Sequence, residues 1–374
     1  AQEAPMKPVS RPIHSSDPIP AHARKASTSQ AGGAAEGSSS PKVVSGMKPK
    51  EEKLAGYLMA RTATNQKVEG RDLENLRVGN GSVRQVRDSL SLGRANVIED
   101  IEKSKKSLIP LRNKASKEVA VGLMRELGEW TNTDFYRGYA AAALHAKTGS
   151  CGHFAAITNP LQASKLIHMK EEGAIVAQAH DKARDHGWVE MMPKGMREDG
   201  TPILHEKDVV MDGWSKEHLA VLREDSEFAR LDQDGKADHL THVDILDRGT
   251  GQDALRAVLG FKARIDGSVV LQGTFRKAVK NLAAEKFQPP RNLLWNDTSI
   301  FHADFRERAG KAVHPEAPAP REGAGHEADQ AKRATLPEIQ AVGVARSMGS
   351  NIRGAVAEAP GIIASAKDMF PDPR

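Results

Sequence analysis

Residues 147–157 read KTGSCGHFAAI, residues 185–190 read DHGWVE and residues 208–214 read DVVMDGW, and the order of these three stretches decides the fold. Thr148-Gly149-Ser150 is a turn, and Cys151 follows it at the head of a segment whose Phe154, Ile157, Leu161 and Leu166 fall on roughly one helical face. A sulfur placed there sits beside the free N–H groups of a first helical turn, an environment that favours thiolate. Most lone cysteines are small buried hydrophobes, so the residue alone does not make a nucleophile. Its followers add to the case. His186 opens a β-leaning segment 35 residues on, and Asp212 lies 26 residues further in a second one. Two neighbouring strands carrying them let the carboxylate hold one ring nitrogen of the imidazole while the other faces the thiol.

Working outward, the spacing predicts helix over 51–61, 97–111, 119–130, 134–146 and 152–170, with Asn80-Gly81 as a turn and Pro110 as a break or kink. Short strands are expected at 174–179, 187–192, 208–214 and 242–246, then helices again at 252–259 and 274–284. Helices followed by a small, antiparallel sheet make an α+β class. The 374 residues divide by composition. Residues 1–50 hold no aromatic, and 28 of them are Ser, Ala, Pro or Gly, which predicts a disordered leader. A helical region spans 51–147, a Cys-His-Asp core 148–305, and a Pro/Ala-rich linker with a helical tail 306–374. The tail has amphipathic stretches between Leu336 and Phe370 that fit packing on the body, a partner or a membrane surface. The 51–147 region reads equally as packing for the core or as a recognition surface for a target or cofactor, and its Lys-rich part 100–117 as a solvated helix face.

The net charge of +5 is concentrated in the leader, which holds 7 Lys+Arg against 3 Asp+Glu, while 51–305 balances at 37 of each. With no basic folded face, no zinc finger and no aromatic–basic alternation, nucleic-acid binding is not expected. No apolar run approaches the length of a membrane span. A single Cys excludes an internal disulfide and a Cys-rich zinc site. His205, His218, His239 and His242 read as solvated loop histidines, so no metal and no resident cofactor is expected, a host-derived activating cofactor remaining open. No G-x-S-x-G elbow is present. Asp208 competes with Asp212 for the acid, since 208, 210 and 212 share one strand face; Gly213 favours Asp212 by placing it near a strand end. Trp188 and Trp214 are expected to wall the cleft and shield the thiolate from water.

The run Cys151-Gly152-His153-Phe154-Ala155, the His186-Gly187-Trp188 strand and an Asp beside a Trp resemble the transglutaminase/papain-like superfamily of cysteine enzymes, although Asp212 precedes its aromatic where that pattern has it follow. With Val221-Leu222-Arg223-Glu224-Asp225-Ser226 and the Ser/Pro/Ala leader, the chain is similar to the AvrPphE/HopX (XopE) family of bacterial type III secreted effectors. That resemblance implies a helical layer on a transglutaminase-like core, delivery into a plant host cell through the leader by the type III machinery or a chaperone, and a thiol-dependent acyl transfer on a host protein. The product follows from the acceptor: water for a protease or deamidase, an amine for a transglutaminase. The competing expectation is a non-catalytic adaptor that binds a host protein.

Overall fold

A computed structural model describes residues 51–104 and 108–313, which fall within one compact unit. The leader over 1–50, the amphipathic C-terminal stretches and all of the tail beyond 313 lie outside the described residues. In chain order come α1 (Glu52–Ala63), α2 (Gly70–Ser89), β1 (Gly93–Arg94), α3 (Ile98–Lys103), α4 (Leu108–Leu127), α5 (Asn132–Ala146) and β2 (Thr148–Gly149). Then follow α6 (Cys151–Ala163), β3 (Ile175–Asp181), β4 (His186–Met192), β5 (Val209–Asp212), β6 (Leu219–Leu222), β7 (Leu240–Leu246), α7 (Gly251–Gly267), α8 (Val269–Ala284) and α9 (Ala303–Val313). The class is α+β. The main sheet runs β6-β5-β4-β3-β7 and every pairing in it is antiparallel.

Central strand β4 is buried at all seven positions, which is why its sequence shows no clean alternation. Helix α6 packs on β3 and β4, while α2 packs on β5 and β6. Phe154, Ile157 and Leu161 of α6 are buried as their spacing predicts, each contributing about 1.5–3 kcal/mol of burial. The helical N-terminal region is bound to the sheet by more than apolar contact. The Tyr57 hydroxyl donates to Asp225 Oδ2 at 2.7 Å and accepts the Leu222 N–H at 3.1 Å, and Arg61 pairs with Asp225 and with Glu224.

Several local expectations are overturned by tertiary packing. Asn80-Gly81 lies inside α2, not in a turn. A Cβ on neighbouring Gly79 would sit 3.0 Å from Val209 Cγ1, so the weak helix formers here provide close approach to β5. Ser82 Oγ donates to Gln162 Oε1 at 2.7 Å, satisfying both groups between α2 and α6. The pattern over 97–111 divides between α3 and the start of α4, where Pro110 occupies the first turn and its missing N–H costs nothing. Helix α6 stops at Ala163, not Lys170, and closes with Ser164 N–H donating to the Pro160 carbonyl at 2.9 Å. Strand β6 was not foreseen, because Leu219-Ala220-Val221-Leu222 is apolar throughout and buried at every position. No helix among the described residues is long and apolar enough to cross a membrane.

Candidate active site

Cys151 is the first residue of α6, and its position is set by the residues on either side. Strands β1 and β2 pair in parallel, with Arg94 opposite Gly149, and this fixes the chain entering the helix. Ser150 caps it: its backbone N–H donates to His153 Nδ1 at 3.2 Å, and its hydroxyl lies 3.0 Å from the same nitrogen. Since the backbone N–H can only donate, His153 Nδ1 is the unprotonated nitrogen, and the Ser150 hydroxyl is a second donor to it. His153 is fully buried, with the Tyr139 ring stacked on it at 3.7 Å. Burial, helped by the charge of Lys117, holds its pKa well below that of an ordinary imidazole. His153 is therefore a neutral brace for the cap.

Gly149 completes the brace. A Cβ there would fall 2.5 Å from His153 Cβ, a distance no side chain tolerates. Gly149→Ala is expected to displace the cap, to cost roughly 1–3 kcal/mol as an overpacked site does, and to slow alkylation of Cys151 by iodoacetamide. Urea denaturation and the alkylation rate, measured on the same variant, check both parts.

His186 opens β4 beyond a tight hairpin. Asp181 Oδ1 takes the N–H groups of Ala183 (2.8 Å) and Arg184 (3.2 Å), and Asp185 adopts a left-handed φ of 48° just before the strand. The thiol of half-buried Cys151 lies against this hairpin, with Sγ 3.9 Å from the Asp185 carbonyl oxygen. His186 Nε2 meets Asp212 Oδ2 at 2.9 Å, with both residues buried. The other oxygen, Asp212 Oδ1, accepts the N–H groups of Trp214 (2.9 Å) and Ser215 (3.1 Å). The carboxylate is held on both sides and cannot swing away from the ring. His186 Nδ1 is buried with no partner in hydrogen-bond geometry, yet Cys151 is close enough to act on the ring's ionisation. Burial alone would lower the His186 pKa; the Asp212 charge and hydrogen bond, with a smaller contribution from Cys151, outweigh it and raise the value to about 10.

The ring is also enclosed by aromatics, with centroids at 4.3 Å (Phe228), 4.8 Å (Trp214), 5.6 Å (Trp188) and 5.9 Å (Trp295). Their faces suit a protonated imidazole. Trp188 and Trp214 are 1% and 0% exposed, so they back the imidazole from inside the core and are not walls of the cleft. The walls come from elsewhere. A cavity of about 630 Å³ reaches Cys151, and among its lining residues are Asn96, Lys114, Lys117, Tyr139 and Trp295. Sequence reading missed these, and two of the lysines expected on a solvated face stand on the cleft.

Asp208 is not the acid of this site. Its Oδ2 accepts the His205 N–H at 2.7 Å and Arg223 Nε at 3.1 Å, and burial pushes its pKa up to about 6. It belongs to a buried network in which Arg223 Nη2 donates to Glu190 Oε2 at 2.6 Å and His242 Nε2 lies 2.7 Å from the same oxygen. His242 is thus a strand residue bound to Glu190, not a solvated loop histidine. His205 takes the Lys207 N–H, and His239 lies 3.2 Å from the Phe228 carbonyl. Among the described residues no three such side chains gather as a metal site.

Cys151, His186 and Asp212 therefore come together, a thiol at a helix head, an imidazole and the carboxylate that fixes its orientation. The imidazole and carboxylate are hydrogen-bonded to each other, while the thiol lies beside them without a hydrogen bond to the ring. No known family model matches the chain, and no curated protein or solved structure is significantly similar to it.

Proposed function

We propose that this protein is a thiol-dependent acyl-transfer enzyme acting on amides of another protein, with Cys151 as nucleophile. The observation that carries this reading is the buried His186–Asp212 hydrogen bond at 2.9 Å beside a cysteine at the head of α6. An imidazole that keeps its proton up to about pH 10 stabilises the thiolate and serves as the acid. Sγ attacks the amide carbonyl carbon, forming a C–S bond and an oxyanion. The C–N bond then breaks and the His186 proton passes to the leaving nitrogen, which leaves a thioester. Water or an amine next attacks, its proton goes to the now neutral imidazole, and the C–S bond breaks. Lys114, Lys117 and Arg184 on the cleft favour amide donors flanked by acidic side chains.

By its resemblance to the AvrPphE/HopX family, we place this chemistry inside a plant host cell, reached through the type III machinery by way of the leader. The test is mass spectrometry of host proteins exposed to wild type and to Cys151→Ala. New termini, deamidated Gln or Gln–amine crosslinks found with wild type alone support the reading and name the acceptor. Identical host proteomes, with the in-cell phenotype retained by Cys151→Ala, replace it with the adaptor reading.

A further inference from the structure

An acyl transfer at Cys151 needs hydrogen-bond donors where the carbonyl oxygen becomes an oxyanion. The Cys151 N–H, in the first turn of α6, has no acceptor within the helix and supplies one. We propose that the side-chain amide of Asn96 is the second donor, an assignment that rests on the reading of Cys151 as the nucleophile.

Three observations converge on this residue. The first is its place. The Ala95 N–H donates to the Gly149 carbonyl at 2.8 Å, continuing the parallel pairing of Arg94 with Gly149. The next residues of the two chains are Asn96 and Ser150-Cys151, so Asn96 runs abreast of the nucleophile, and both line the cleft.

The second is its orientation. Trp214 Nε1 lies 2.8 Å from Asn96 Oδ1, and an indole N–H can only donate, so the atom that meets it must be the carbonyl oxygen of the amide. The NH2 group is then the opposite end, and it has no acceptor among the described residues. The Asn96 backbone carbonyl is itself occupied by the Trp295 N–H at 2.8 Å, so the residue is held at two points. The third is rigidity. Trp214 is fully buried and its ring lies 4.8 Å from that of His186. One indole thus fixes the amide and backs the imidazole, and a donor already oriented needs no reorganisation when charge develops. Tyr139 also lines the cleft, but its ring is committed to stacking on His153 at 3.7 Å.

The test uses the full chain and two reagents that differ in whether they form an oxyanion. Iodoacetamide alkylates Sγ by displacing iodide at a saturated carbon. p-Nitrophenyl acetate transfers its acetyl group to Sγ through a tetrahedral oxyanion and releases p-nitrophenolate. Asn96→Ala and the near-isosteric Asn96→Asp, which lacks the NH2 group, are expected to slow acetylation on the order of 100- to 1,000-fold while alkylation stays within about twofold. An equal loss with both reagents would show that Asn96 only holds the loop and would overturn the assignment. So would unchanged acetylation, or a selective loss confined to Tyr139→Phe. Wild-type protein acetylated no faster than free glutathione would instead overturn the acyl-transfer reading itself, and this proposal with it.

Discussion

Asp212→Asn is expected to lower acyl transfer by about four orders of magnitude, the loss that follows when the acid of such a triad becomes an amide. The new Asn keeps an oxygen for the Trp214 and Ser215 N–H groups, and so turns its NH2 towards His186 Nε2. Nε2 must then accept, the ring proton moves to Nδ1, and the nitrogen facing Cys151 can no longer take a proton. Burial remains while the carboxylate charge is gone, so the His186 pKa falls from about 10. The sign in stability follows. A His raised above its unfolded value of 6.5 stabilises fully below that pH, and the gain disappears as pH rises through about 10. Wild type should lose thermal stability across that alkaline window and Asp212→Asn should not. Alkylation of the single cysteine by iodoacetamide gives an unambiguous second readout, with a pH profile that shifts to higher pH in the variant, because the imidazolium that stabilises the thiolate is lost. Asp208→Asn, by contrast, is expected to leave the alkylation profile in place and to cost roughly 1–3 kcal/mol of stability as Arg223 loses a partner. Wild-type rates for Asp212→Asn would remove it from the site.

The choice between those two acids marks where sequence stops being informative. The placement of Cys151 at a helix head was legible because its signals are local: a Thr-Gly-Ser turn, a cysteine and a helical apolar period lie within a dozen residues. His186 and Asp212 were legible as residue types on adjacent strands. That Asp212 and not Asp208 reaches the imidazole depends on β5 ending at Asp212, where the following turn offers two N–H groups to its second oxygen. Strand alternation gives both carboxylates the same face and so carries no such information.

What lies further apart in the chain was not legible at all. Trp295 and Asn96 reach the cleft through backbone pairing between distant segments, with the Val97–Trp295 bridge joining them, and neither has a local pattern. Trp188 and Trp214 stand out beside His186 and Asp212 in the sequence, but periodicity cannot say whether a tryptophan faces solvent or the core. Asn80-Gly81 failed for the opposite reason: its turn signal is real, but packing of α2 on the sheet outweighs a local preference of about 1 kcal/mol per residue. Arg223-Glu224-Asp225 gives no local sign of burial, yet Arg223 and Asp225 are both 0% exposed.

That buried arginine carries the second large effect: Arg223→Met is expected to destabilise the fold by about 3–5 kcal/mol at neutral pH. Its guanidinium donates to Glu190 Oε2 (2.6 Å), Asp208 Oδ2 (3.1 Å) and the Ala229 carbonyl (2.9 Å). Methionine fills comparable space, so the loss comes mainly from two buried carboxylates left without their cation. The pH dependence separates this from a packing defect. In wild type, Glu190 is held down to about 2, opposing its burial, by Arg223 first and then His242; its contribution is present above 4.5 and lost as pH falls through about 2. Asp208 runs the other way, since burial raises it to about 6; its contribution is full below 3.8 and lost as pH rises through about 6. Without Arg223 both carboxyls shift upward, so the variant should be penalised less at pH 5 than at pH 8 in urea denaturation. Adding Glu190→Gln and Asp208→Asn to Arg223→Met should recover part of the loss at pH 8, a non-additivity expected of groups in one network. An equal penalty at both pH values, with no recovery in the triple variant, would assign the cost to packing. The outcome reaches the site as well. The Trp188 indole donates to Glu190 Oε1 at 2.8 Å while its ring lies 5.6 Å from that of His186, so releasing Glu190 loosens the wall behind the imidazole and should slow Cys151 alkylation even under conditions where the variant remains folded.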